Sequence, residues 1–196
     1  MLSFSIAVFL LIITPGPGVL STAGVGAAFG KRAGFQYVAG LFVGNNLVAL
    51  AVVSGLAAII FSVPAVRNIM LVLSVIYLCY LAFRIASAGA KIAFIEAKSQ
   101  PGFLSGLALQ GINPKAYAVN TTFFTGFAFA GDALLEETII KFIVLNVIWV
   151  PVHLLWLAAG IKVKEMELAP AIQFRVNMLM ATAMLVVVGL AIYNLL

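Results

Sequence analysis

The chain has 196 residues, of which 64% are hydrophobic and only 9% are charged, with a formal net charge of +5. No water-soluble domain of this length can bury so much apolar surface, so the composition predicts a polytopic membrane protein. The single cysteine excludes a disulfide framework and a thiolate metal cluster. The basic residues are spread over several short loops, which argues against a nucleic-acid partner.

Six apolar runs are each long enough to cross a bilayer core of about 30 Å, because a spanning helix needs roughly 20 residues. The runs lack the alternating pattern of barrel strands, so we predict an all-α integral membrane protein with six transmembrane helices. The predicted spans cover residues 3–29, 38–61, 68–88, 103–130, 139–160 and 177–196.

Lysine and arginine are divided unevenly between the two sides of this six-span arrangement. The side opposite to the main group carries only Arg67 and Lys141. By the positive-inside rule the main group faces the cytoplasm, so both termini are predicted to lie outside it, in a protein of the cytoplasmic (inner) membrane. The main group consists of Lys31, Arg32, Arg84, Lys91, Lys98, Lys162, Lys164 and Arg175.

Spans 1 and 4 are interrupted at similar depths. The motif "TPGP" begins at Thr14 in span 1, and "NPKA" begins at Asn113 in span 4. Both breaks are predicted to lie roughly 15 Å into the bilayer, near its midplane. Because each half has three spans, residues 1–98 and 99–196 are predicted to be inverted repeats, in which matched breaks are typical of a transporter's binding site. The alternative is two kinks that serve helix packing.

Each motif places a capping residue before a proline, Thr14 before Pro15 and Asn113 before Pro114. Thr and Asn are good N-caps and proline suits the first helical turn, so each motif is predicted to start a new half-helix. The unpaired N–H groups of such a start form the positive end of a helix dipole and bind anions. Glycine lets a ligand approach the backbone. The predicted site therefore also includes Gly16, Pro17 and Gly18.

Lys115 follows Pro114 and lies deep inside an apolar span. A charge at that depth is costly and marks a functional site by default. Two positive helix ends and one ammonium predict a site for a carboxylate. The alternative is that Lys115 snorkels to the nearer membrane surface.

Polar residues on spans 2 and 5 extend the predicted site. Asn45 and Asn46 lie in span 2, and Asn146 and His153 share one face of span 5. We predict that they line the cavity, with His153 as a titratable partner. The alternative for His153 is a hydrogen bond to a carbonyl that Pro151 leaves unpaired.

Other small and polar residues are expected mainly to pack helices together. Gly40 and Gly44 form a small-xxx-small pair, as do Gly102 and Gly106. Four residues after the second break are expected to make one or two cavity contacts and otherwise to hydrogen bond between helices. These four are Asn120, Thr121, Thr122 and Thr125.

The order of the motifs "TPGP", "GKRAGF", "GLFVGNN" and "NPKA" over essentially the whole chain resembles the LysE/RhtB superfamily of small amino-acid exporters. The resemblance implies efflux of amino acids or their derivatives from the cytoplasm by a homodimer. It also implies an ion gradient as the driving force, with proton or sodium left open. The matching positions are Pro15, Gly16, Pro17, Asn113, Pro114 and Lys115.

One departure from that superfamily bears on the cargo. Many relatives carry an acid directly after the span 2 glycine, where this chain has Asn45 and Asn46. With every acid in a loop or at a span edge, no carboxylate is predicted at depth to relay protons or to pair with a cationic substrate. We therefore expect a neutral amino acid rather than lysine, arginine or cadmium. The acids are Glu96, Asp132, Glu136, Glu137, Glu165 and Glu167.

Other function classes fit the sequence less well. One histidine, one cysteine and no deep acid cannot form a nucleophile–base pair or a metal cluster within the membrane, so no enzyme, metal or cofactor is predicted. A self-contained primary pump would need an ATP-binding loop, and the sequence has no such motif. A non-transporting membrane subunit would leave Lys115 unexplained. Export of another small organic anion remains an alternative.

Overall fold

The computed structural model describes residues 1–14, 16–87, 100–129 and 133–193. Within these ranges the regular structure is helical and contains no strand, which agrees with the all-α prediction. Some residues used in the sequence predictions lie outside the described ranges: Pro15, Lys91, Lys98, Glu96 and Asp132.

Nine helices occupy the described part of the chain. They are α1 (Leu2–Ile13), α2 (Pro17–Phe29), α3 (Lys31–Val53), α4 (Leu56–Phe61), α5 (Pro64–Ser87), α6 (Phe103–Ile112), α7 (Pro114–Thr125), α8 (Leu134–Glu165) and α9 (Pro170–Tyr193).

Several of these helices are suited to a membrane. Among the described residues, α3, α5 and α8 are long and apolar enough to cross it, and α1 with α2 forms a fourth such segment, bent by 49°. In chain order the six predicted spans overlap α1–α2, α3, α5, α6–α7, α8 and α9, and the count of six spans stays a prediction. The predicted span 2 extends too far at its C-terminal end, because Gly55 adopts a φ of 76° and separates α3 from α4.

The longest helix, α8, has ends that suit its dipole. Glu136 and Glu137 lie in its first turn, and Lys162 and Lys164 lie in its last turn. Pro151 lies inside the helix, where it removes one backbone hydrogen bond without ending the helix.

Glycines bring the helices of the two halves into backbone contact. A β-carbon added to Gly40 of α3 would overlap the Phe103 carbonyl oxygen at the start of α6, and one added to Gly106 of α6 would overlap the Tyr37 carbonyl oxygen of α3. This confirms the packing role predicted for these two glycines. Gly160 of α8 lies equally close to the backbone of α2. These contacts pack α2 and α6, one helix from each interrupted span, against α8 and α3.

Candidate functional site

The two interruptions lie side by side. α1 ends at Thr14 and α2 starts after Gly16, while Asn113 is at once the C-cap of α6 and the N-cap of α7. The Lys115 ammonium of α7 donates a hydrogen bond to the Thr14 carbonyl at 2.9 Å. Residues 101 positions apart in the chain are thus joined at one point.

The second motif forms the predicted cap. The Asn113 Oδ1 accepts the backbone N–H of Lys115 at 3.1 Å, and Pro114 occupies the first helical turn of α7. The backbone N–H of Lys115, in the first turn of α7, is therefore already paired with the helix cap.

The prediction for Thr14 was wrong. Thr14 is the C-cap of α1, and its hydroxyl donates to the Leu10 carbonyl instead of capping α2. The N-cap of α2 is Gly16, in an extended conformation with φ −159° and ψ 179°, and Pro17 takes the first helical position. The first motif contains two prolines, and the second of them starts the new helix. Because glycine has no side chain, α2 begins without a side-chain cap.

Gly16 gives the Lys115 side chain its place. A β-carbon on Gly16 would lie 2.7 Å from Lys115 Nζ and 2.9 Å from its Cδ. The ammonium is thus held against the uncapped start of α2, and its hydrogen bond to the first break is not the arrangement expected for snorkelling.

A cavity of about 60 Å³ surrounds this point. This is room for a few water molecules or part of a small solute. Seven of the predicted site residues line it: Thr14, Gly16, Gly18, Asn45, Asn113, Lys115 and His153. The other lining residues are Leu11, Ile12, Val19, Gln110, Ala116, Val119, Asn120, Phe123, Leu145 and Trp149.

Two predicted site residues form a separate pair instead. Asn46 Nδ2 donates to Asn146 Oδ1 at 3.0 Å, and Asn146 Nδ2 donates to Asn46 Oδ1 at 2.9 Å. Each Nδ2 also donates to the carbonyl four residues earlier, that of Phe42 or Phe142. These amides are satisfied by α3 and α8 and are not part of the cavity lining, and neither are Pro17 and Pro114.

His153 lines the cavity and also makes a structural bond. Its Nδ1 lies 3.0 Å from the Trp149 carbonyl, so the alternative partner, a carbonyl left unpaired by Pro151, was wrong. The imidazole stacks on the Trp149 ring with the centroids 3.5 Å apart. Since a carbonyl can only accept, Nδ1 carries the proton, and in its neutral form the ring presents Nε2 as an acceptor. That Nε2 would lie 3.5 Å from a β-carbon added to Gly18.

The sequence predictions did not assign Gln110 to the site. Its Oε1 accepts from Asn113 Nδ2 at 3.1 Å, and its Nε2 donates to Asn45 Oδ1 at 3.4 Å. Asn120, expected mainly to pack helices, also donates to Asn45 Oδ1, at 3.2 Å. A polar side chain inside an apolar span is the signal that marks such residues.

Aromatic rings, among them the cavity-lining Phe123, and a buried ion pair lie towards the starts of α1 and α8. Phe4 packs edge-on against Phe123 and Phe127, with centroids 6.0 and 5.6 Å away. Nearby, Lys141 and Glu137 pair at 2.7 Å, with side chains 3% and 8% exposed. The charge count in the sequence analysis placed Lys141 on the outer side of the membrane. In the structure it is a buried residue of α8. We call these residues the α1–α7–α8 barrier.

A different set of contacts lies towards the ends of α2 and α8. Lys31 pairs with Glu165 at 2.6 Å, and Lys164 donates to the Ala28 carbonyl at 3.2 Å. These contacts tie the turn between α2 and α3 to the end of α8, next to the close packing at Gly160. We call this set the α2–α3–α8 barrier.

The family model of the LysE type translocator matches residues 9–195. This chain belongs to the LysE type translocator family. Family membership and the apolar helices together establish a multi-pass membrane protein. The resemblance inferred from the motifs is thereby confirmed.

Several proteins named leucine efflux protein are similar to the chain. That of Klebsiella pneumoniae is 27% identical over 131 residues, which cover 64% of this chain and 62% of that protein. That of Enterobacter sp. is 26% identical over 130 residues, with 64% and 62% covered. The Salmonella typhimurium protein is 25% identical over 155 residues, with 73% and 68% covered. The match thus spans just under two thirds of the first two relatives. No solved structure matches the chain.

Proposed function

We propose that this protein is a secondary transporter of the cytoplasmic membrane that exports small neutral amino acids or their derivatives from the cytoplasm. The observation that carries the proposal is the Lys115 ammonium, which lies in a cavity and joins two helix interruptions. Family membership and the relatives named for leucine efflux support the same reading.

The substrate carboxylate binds between the Lys115 ammonium and the start of α2. An ammonium has three donors, and one of them is directed at the Thr14 carbonyl. Gly18 and Val19 lie in the first turn of α2 and line the cavity, so the positive end of the helix dipole faces the same space. The start of α7 contributes less than the sequence suggested, because Asn113 already caps it. The contribution of α7 to the site is the ammonium of Lys115.

The lining of the cavity favours a neutral cargo. No aspartate or glutamate is found among the described residues that line it, so a cationic side chain would have no partner there. Leu11, Ile12 and Phe123 supply an apolar wall for an aliphatic side chain.

The reciprocal pair of Asn46 and Asn146 supports an inverted repeat made of residues 1–98 and 99–196. Equivalent residues of two repeats meet at the pseudo-two-fold axis, where they can bond each other reciprocally as these two do. With six spans in this arrangement, both termini lie outside the cytoplasm. The homodimer and the ion gradient implied by the family resemblance stay predictions.

Export follows if the barriers at the two ends of the cavity open alternately. The charge pattern assigns the α2–α3–α8 barrier to the cytoplasmic side and the α1–α7–α8 barrier to the outside. Rocking of one repeat against the other would open the first while the second stays closed, and then the reverse.

The proposal is tested by efflux from cells preloaded with labelled amino acids, with an empty-vector strain as control. We expect accelerated loss of leucine and other neutral amino acids, and little acceleration for lysine. Efflux that matches the empty-vector strain for every compound would indicate a non-transporting subunit. Equal export of lysine and leucine would contradict the neutral cargo.

A further inference from the structure

Four amide side chains in the cavity wall form a hydrogen-bonded chain. Asn113 donates to Gln110, and Gln110 and Asn120 both donate to the Oδ1 of Asn45. Asn45 and Asn120 are 4% and 1% exposed. The chain joins α3, α6 and α7 and belongs to the cavity that holds Lys115.

The orientation of every amide in this chain is fixed from both ends. At one end, the backbone N–H of Lys115 can only donate, so the Asn113 atom that faces it must be the oxygen, Oδ1. The nitrogen of Asn113 then faces Gln110, so the Gln110 atom in contact with it must be Oε1 and the other must be Nε2. At the other end, the carbonyl of Ala116 can only accept, at 2.8 Å, so it defines the Nδ2 of Asn120. Gln110 Nε2 and Asn120 Nδ2 both donate to the same Asn45 atom, which must therefore be the oxygen, Oδ1. A flip of any single amide would place two donors or two acceptors in contact.

This orientation leaves one donor and one acceptor over. Within the described part of the chain, the buried Asn45 Nδ2 and Asn120 Oδ1 have no hydrogen-bond partner. Buried polar groups are normally paired, and both residues line the cavity. The wall therefore contains an unpaired, buried donor and an unpaired, buried acceptor on two amides that are bonded to each other.

We infer that Asn45 and Asn120 recognise the α-amino-acid group as a zwitterion, an inference that rests on the proposed function. The Asn45 Nδ2 donates to a carboxylate oxygen, and the Asn120 Oδ1 accepts a hydrogen bond from the α-ammonium. Lys115 supplies the charge that attracts the carboxylate. A simple carboxylate of the same shape would leave Asn120 Oδ1 unpaired, which penalises it relative to the amino acid.

This division of labour separates two classes of cargo. Lys115 alone would accept any small organic anion, whereas the amide pair selects anions that carry a neighbouring donor. Because the group that accepts the ammonium is a neutral amide, a cationic ligand without a carboxylate gains no charge partner there.

The test measures binding of three ligands to the purified full chain in nanodiscs by calorimetry. L-leucine carries both groups, 4-methylpentanoate lacks the ammonium, and isopentylamine lacks the carboxylate. For the wild-type protein we expect each one-ended ligand to bind about tenfold or more weakly than leucine. Equal affinity for leucine and 4-methylpentanoate in wild type would overturn the inference, whether or not any variant folds. No binding of either compound would overturn the proposed function itself.

Variants then assign the effect to residues. Asn120→Leu should weaken leucine binding about tenfold or more and leave 4-methylpentanoate unchanged. Lys115→Ala should weaken both compounds. Thr125→Val, on the exposed face of α7, serves as the matched control and should change neither. Equal weakening of leucine and 4-methylpentanoate in Asn120→Leu, or no weakening of either, would contradict recognition of the ammonium while leaving the proposed export intact.

Discussion

Replacing Gly16 with alanine moves the Lys115 ammonium without removing its charge. The new β-carbon would lie 2.7 Å from Lys115 Nζ, whereas unstrained contacts are about 3.5 Å, so the ammonium must shift by roughly 1 Å. A shift of that size away from the Thr14 carbonyl would take their 2.9 Å hydrogen bond out of range. The extended backbone at Gly16 suits alanine, so the effect acts through the lysine.

If the displaced ammonium loses one hydrogen bond to the substrate carboxylate, binding weakens by about 1.5–3 kcal/mol, or roughly tenfold to a hundredfold in affinity. Efflux of preloaded, labelled leucine at a subsaturating internal concentration should fall by a similar factor in Gly16→Ala. The control is Gly111→Ala, whose β-carbon meets nothing within 4 Å, compared at equal membrane abundance. Wild-type efflux from Gly16→Ala would refute the claim that the ammonium's position matters.

The remaining predictions concern packing, the buried ion pair and topology. Gly40→Ala should lower the thermal unfolding midpoint in detergent by overlapping the Phe103 carbonyl, at a cost of about 1–3 kcal/mol, and a midpoint equal to that of Gly111→Ala would contradict this. Lys141→Met should destabilise the folded protein by about 3–5 kcal/mol because it removes the counter-charge of the buried Glu137 carboxylate, which then keeps hydrogen bonds such as that from the Phe129 N–H, and adding Glu137→Gln should restore part of the loss. A single variant as stable as the double would argue against that ion pair. Tags on both termini should be accessible in intact cells, and a protected C-terminus would rule out the six-span topology.

The second helix interruption was predictable because its motif allows one local arrangement. An asparagine before a single proline gives one N-cap and one first helical residue, and Asn113 and Pro114 take those places. The first motif contains two prolines, and either could begin α2 by local preference alone. In the structure α2 begins at Pro17, and Lys115 packs against its N-cap, Gly16. That contact joins residues far apart in the chain, so local sequence does not show it.

The members of the polar wall were harder to predict. A sequence shows which spans carry amides but not how each helix is rotated about its axis. Asn45 and Asn46 are neighbours, yet one faces the cavity and the other bonds Asn146 across the interface of α3 and α8. Gln110 joins the site only because α6 lies close to α3, which depends on glycines that the sequence marked for packing.

The most direct test of the central claim is the initial efflux rate of labelled leucine in Lys115→Ala, compared with wild type at matched membrane expression. If the ammonium holds the substrate carboxylate, the rate should fall about tenfold or more, and Lys115→Arg should recover only part of it because a planar guanidinium differs from a compact ammonium. Thr125→Val should export like wild type. A wild-type rate in Lys115→Ala would mean that the cavity between the two interrupted helices is not a carboxylate site.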